Sequence, residues 1–142
     1  MPAGADAIQY GSTSASPAMR QIEERMLAAL RFGKNWRSGN TSVEWRHASP
    51  TFGGTQATIR LHGNRIGIYQ PSSGTLNISD GEGWRTATTK SRLNALLELV
   101  PCRCGVSQYK GEWRFIRSDG MAEPWQGWRV IEFCPIANAW NV

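Results

Sequence analysis

Between Ala57 and Tyr69 apolar and polar side chains alternate with a period of two, on both sides of Gly63-Asn64. Alternation of that kind belongs to strands half-buried in a sheet, because successive side chains point to opposite faces. A two-residue Gly-Asn loop suits the type II′ turn, whose twist matches that of the strands it joins. The resulting register pairs His62 with Arg65, Leu61 with Ile66, Arg60 with Gly67 and Ile59 with Ile68. It gathers Ala57, Ile59, Leu61, Ile66 and Ile68 on one face, and Thr58, Arg60, His62, Arg65 and Tyr69 on the other. The ribbon therefore has an oily side and a cationic side.

The flanking segments extend this ribbon into a meander. Thr41–Arg46 reads as a preceding strand, and Leu76–Ser79 as a following one bounded by Ser72-Ser73-Gly74 and Asp80-Gly81. A second hairpin turns at Lys110-Gly111, with Val106, Gln108, Trp113 and Phe115 facing one way, and Val130–Phe133 reads as a last strand. Two helices complete the pattern. The first has Ser16 as N-cap, Pro17 at its first position and Gly33 as its stop. Met19, Ile22, Met26, Leu27 and Leu30 give it one apolar stripe. The second runs from about Lys90 to Val100, capped by Thr88 or Thr89, with Leu93, Leu96, Leu97 and Val100 buried and Pro101 as terminator. The expectation is an α+β fold: an antiparallel sheet of about five to seven strands, covered on one face by two helices. Its other face is partly solvated. Residues 1–15, rich in Ala, Gly, Ser and Thr, read as a flexible tail, and 16–142 as a single domain.

Composition narrows the function classes. Lys and Arg outnumber Asp and Glu by 16 to 11, a net charge of +5 that favours polyanionic partners. Of three cysteines, Cys102 and Cys104 are too close in sequence to bridge without strain, so free thiols and a reducing, cytoplasmic setting are expected. No segment has the order of a signal peptide or the length of a membrane-spanning helix. Cys102, Cys104 and Cys134, with His47 and His62, lack the paired spacing of a zinc site, so neither metal nor cofactor is expected. No G-x-S-x-G elbow, Walker A loop or H-E-x-x-H motif occurs, and the chain is expected to be non-enzymatic.

The candidate binding residues for nucleic acid are Arg60, His62, Arg65 and Tyr69 on the cationic face, where arginines can pair with phosphates while a base stacks on the ring. Lys90 and Arg92 in the first turn of the second helix, beside Thr86, Thr88 and Thr89, add an anion-binding corner. Arg114, with Tyr109 and Lys110, extends the basic surface. The plainer reading of the same residues is a solvated sheet face and a set of helix-capping threonines. The alternative function is a protein-interaction module that binds a host protein through Trp84, Trp125 and Trp128. Trp and Arg dominate interface hot spots, although such indoles also plug core ends.

One order of motifs stands out: Ser38-Gly39-Asn40-Thr41, then His62-Gly63-Asn64, then Gly83-Trp84-x-Thr86-x-Thr88-Thr89-Lys90-Ser91-Arg92-Leu93-Asn94, then Gln108 and Lys110-Gly111-x-Trp113. This string resembles a group of small proteins encoded by tailed bacteriophages, over roughly Phe32 to Phe115. The resemblance implies a phage gene product acting inside a bacterial host. It carries no established activity, so no functional residue comes with it.

Overall fold

The computed structural model describes residues 17–46 and 55–134; the tail, the Ser16 cap and His47 lie outside them. In chain order the elements are α1 (Pro17–Phe32), β1 (Trp36–Ser38), β2 (Thr41–Arg46), β3 (Gln56–Leu61), β4 (Asn64–Gln70) and β5 (Thr75–Ser79). There follow α2 (Ala87–Leu96, prolonged by a 3-10 turn Leu97–Leu99), β6 (Gly105–Tyr109), β7 (Glu112–Ile116), β8 (Ala122–Pro124) and β9 (Trp128–Glu132). The strands form two antiparallel sheets, one of six in the order β1-β2-β3-β4-β5-β9 and one of three in the order β6-β7-β8. The fold is α+β.

Helix α1 ends as its sequence dictates. Gly33 takes a positive φ of 67°, and the Lys34 N–H donates to the Ala29 carbonyl at 2.9 Å, a Schellman closure. Helix α2 is the centre of the molecule. It touches α1, β4 and β5 on one side and β6 on the other, so nearly all of its surface is buried. Leu93 and Leu96 meet Ile59, Leu61, Ile66, Leu76 and Ile78 of the large sheet in one core.

The second hairpin does not continue the meander; it builds a separate sheet across α2. Asn94 joins the two. Its amide donates to the Val106 carbonyl at 2.8 Å and accepts from the Val106 N–H at 2.9 Å, satisfying the backbone of β6 much as a paired strand would. The last strand, β9, starts two residues earlier than expected and pairs with β5.

The central ribbon turns one residue earlier than expected. His62 and Gly63 occupy the loop with φ of 54° and 80°, a type I′ turn, so Leu61 opposes Asn64 and Arg60 opposes Arg65. A bulge follows, where pairing resumes at Ile59 and Gly67. It sends both Ile66 and Gly67 inward, puts Ile68 on the outward face and turns Tyr69 into the core. The cause is tertiary. A Cβ at position 67 would stand 2.9 Å from Leu96 Cδ1 and 3.3 Å from Ile59 Cδ1, so α2 sits this close only over glycine. Among the described residues no helix is long and apolar enough to cross a membrane.

Candidate nucleic-acid interface

Every second residue of the large sheet points away from the helices. In that outward layer Arg37 opposes Ser42, Ser42 opposes Arg60, and Arg60 opposes Arg65, which places three arginines on one cross-strand row. On the edge strand Trp128 opposes Ser79 and is 59% exposed. Arg60, Arg65, Asn77, Ser79 and Trp128 line a single depression of ≈ 580 Å³, bordered by Gly63 and Asn64 at the end of the hairpin and by the Gly81-Glu82 loop. A second depression of ≈ 400 Å³ shares Arg60 and Gly63 with the first and reaches Arg37, Ser42 and His62.

Charge on this face is only partly compensated. Arg60 Nη1 pairs with Glu44 Oε1 at 3.1 Å. Among the described residues neither Arg37 nor Arg65 forms an ion pair. Like charges directly opposite one another across two strands destabilise a sheet by up to about 1 kcal/mol. The fold carries the Arg60–Arg65 opposition all the same.

At the hairpin tip the His62 N–H donates to the Asn40 carbonyl at 2.7 Å, and its ring lies 6.2 Å from that of Trp84, which is 48% exposed. Three of the segments that carry the phage resemblance, Ser38–Thr41, His62–Asn64 and Gly83-Trp84, thus meet at one end of the sheet.

The wall of the main depression is fixed by Asp80, which the sequence marks only as part of a turn. Its buried carboxylate accepts from the Gly83 N–H at 2.8 Å, Arg85 Nε at 2.8 Å and Trp125 Nε1 at 2.9 Å, while its N–H donates to the Gly127 carbonyl. Burial alone would raise its pKa. The three donors and the Arg85 charge outweigh that, and the group lies below the ordinary carboxylate range.

Several expected binding residues lie elsewhere. Tyr69 is 4% exposed, edge-on to Trp45 and stacked on Phe133; burial pushes its hydroxyl pKa up, against the pull of the Arg31 charge. It leaves the cationic face because of the bulge, which inverts the alternation beyond Ile66. Arg92 is 1% exposed and enclosed by the fold. Its Nη1 donates to Glu23 Oε2 at 2.9 Å and its Nε to Thr41 Oγ1 at 3.1 Å, while Ser91 donates to the same Glu23 oxygen. Helix α2 begins at Ala87 with Thr86 as its cap, whose Oγ1 accepts from the Thr89 N–H at 3.1 Å. Arg92 therefore lies in the second turn, and the expected anion corner does not form around it. Lys90 reaches Gln108 Oε1 at 3.3 Å, and Arg114 lies over the Tyr109 ring at 4.9 Å. Both belong to the small-sheet side, apart from the arginine row. Trp125 is a core residue against Trp113, bonded to Asp80, whereas Trp84 and Trp128 are exposed.

Glu23 was legible in principle, since it falls on the apolar stripe of α1 between Met19 and Met26. The cysteines offer no reactive thiolate at Cys104, whose pKa is pushed up to about 12 by burial and by its neighbour Cys102. Among the described residues no three His, Cys, Asp or Glu side chains converge.

A family model described as Kyanoviridae Gp96 protein matches residues 19–132, from the first turn of α1 to the end of β9. Searches of the curated proteins and of the solved structures find no match.

Proposed function

The chain belongs to the Kyanoviridae Gp96 protein family, a family of phage proteins, and on that footing we propose that it is a non-enzymatic accessory protein that binds nucleic acid on the outward face of its large sheet. The observation that carries this reading is the direct opposition of Arg60 and Arg65 beside an exposed indole. A fold that tolerates two facing cations gives up stability that a phosphate returns on binding. Trp128 replaces Tyr69 as the stacking ring, and the arginines supply phosphate contacts, the combination by which small sheets hold nucleic acid strands. Its place of action is the host cytoplasm, where free thiols persist.

Fluorescence anisotropy with labelled single-stranded DNA, RNA and duplex, each at several salt concentrations, tests it. Binding should weaken steeply with salt. Arg60→Ala with Arg65→Ala should lower the salt slope by about 0.7 to 0.9 for each phosphate that is no longer neutralised. Trp128→Ala should weaken binding by about 1–3 kcal/mol while leaving the unfolding midpoint nearly unchanged. Absence of binding at low salt to all three nucleic acids would discard the proposal.

A second reading rests on a different observation. Val130, 42% exposed, shares a cross-strand row with Asn77 and the half-buried Ile68, and Trp128 stands beside it on the same strand. That apolar strip suits a protein partner, with Trp84 and Trp128 as anchors and Trp125 excluded. A pull-down from nuclease-treated bacterial lysate that still recovers one dominant protein, no longer captured by Trp128→Ala, would favour it.

A further inference from the structure

Three arginines on one cross-strand row define a direction as well as a charge. The row Arg37–Ser42–Arg60–Arg65 crosses β1 to β4 at right angles to the strands, and the main depression continues past Asn77 and Ser79 to Trp128 on the far edge. The two depressions meet at Arg60 and Gly63, so they form one track from edge to edge. Neighbouring strands lie about 4.8 Å apart, which makes the track across six strands about 24 Å long.

Resting on the function proposed above, we infer that the ligand is a single strand laid across the sheet, with phosphates on Arg37, Arg60 and Arg65 and an unpaired base on Trp128. A base inside a duplex is already stacked on both faces, so it has no free face for the indole. Asn77 and Ser79 lie between Arg65 and the ring, and Ser42 between Arg37 and Arg60, all hydrogen-bonding side chains without charge, suited to sugars and base edges. An acid, Glu82, held at a positive φ of 68° between Gly81 and Gly83, lines the same depression, and its charge limits how many phosphates the depression admits. No periodicity singles out Arg37 in the sequence, because it sits in a three-residue edge strand. The register makes it the far end of the track.

The experiment uses the full chain, single-stranded oligonucleotides of increasing length, and duplexes of matched length at low salt. Affinity should rise up to about four nucleotides and then level off, the low end of what one small sheet-based binder covers. Matched duplexes should bind about tenfold more weakly or worse. Arg37→Ala should lower the salt slope for single strands by about 0.7, and Arg37→Lys should restore most of it, because one point charge suffices for one phosphate. Duplex binding equal to single-strand binding would overturn the inference. So would an unchanged slope in Arg37→Ala alongside clearly lowered slopes in Arg60→Ala and Arg65→Ala; in both cases binding on this face would survive as the function. Absence of any binding would remove both.

Discussion

The molecule holds arginine in two opposite ways. Around α2, Arg92 is buried with Glu23, Ser91 and Thr41, and its Nε and Nη1 both meet oxygen acceptors. On the outward face, Arg65 opposes another arginine and makes no ion pair among the described residues. The first arrangement is paired inside the fold: Glu23 Oε2 meets Arg92 and Ser91, while Glu23 Oε1 is buried without a hydrogen-bond partner among the described residues, 4.0 Å from Arg20 Nη1. The second is open, since the fold alone gives no reason for its charge. A charge paired inside the fold points to architecture, and one left without a counter-charge at the surface points to a partner.

The sharpest break between the two regions is in stability. Arg92→Ala should cost about 3–5 kcal/mol, because it leaves the Glu23 carboxylate buried without its counter-charge. Arg65→Ala should leave stability unchanged or raise it by up to about 1 kcal/mol, since it removes the like-charge opposition to Arg60. Urea unfolding of both variants reads the difference. Replacing the buried pair together, Glu23→Leu with Arg92→Met, should recover most of the stability, since a well-packed apolar pair avoids desolvating two charges. If Arg92→Ala were tolerated as well as Arg65→Ala, the cluster around α2 would not be structural.

Asp80 lies between the two regions: buried like Glu23, yet holding the loop that walls the outward depression. Asp80→Asn turns one carboxylate oxygen into an amide donor facing one or two of the three existing donors and should cost about 1–3 kcal/mol. The contribution has a definite pH sign. The folded pKa lies below the unfolded value of about 3.9, so the stabilisation is complete above that value and is lost as pH falls through the folded pKa. Wild type and Asp80→Asn should therefore differ at neutral pH and converge in stability below about pH 4. An unchanged gap across an acid titration would mean that the ionised carboxylate is not what fixes the loop.

What could be read from sequence followed how local its cause was. Helix α1 and the Lys110-Gly111 hairpin match expectation because their signals lie within a few residues: Pro17 and Gly33 for one, a lone glycine bend for the other. The central hairpin uses the same turn, with φ of 54° and 80° against 52° and 82°, but offers two adjacent glycine-containing pairs, His62-Gly63 and Gly63-Asn64. Leu96, from a different element, packs where only a glycine at position 67 admits it, and so the register moves by one and Tyr69 changes face. Arg92 departs from expectation for a similar reason. Thr86 caps α2 ahead of Thr88 and Thr89, and the partner that buries the arginine, Glu23, is 69 residues away in sequence. Arg60 and Arg65 keep their face because both registers leave them pointing outward.

The smallest expected effect tests the open region from its compensated side. Glu44 holds Arg60 at 3.1 Å on an exposed strand, and exposed pairs of this kind contribute about 0–1 kcal/mol to stability. Glu44→Gln should therefore barely move the unfolding midpoint. It should tighten binding of a single strand by a few-fold and steepen the salt slope by at most about 0.7, because Arg60 then meets a phosphate without first releasing a carboxylate. The sign matters more than the size here. Weaker binding in Glu44→Gln would mean that the ion pair positions Arg60 for its ligand, whereas stronger binding identifies the carboxylate as a competitor for the same guanidinium.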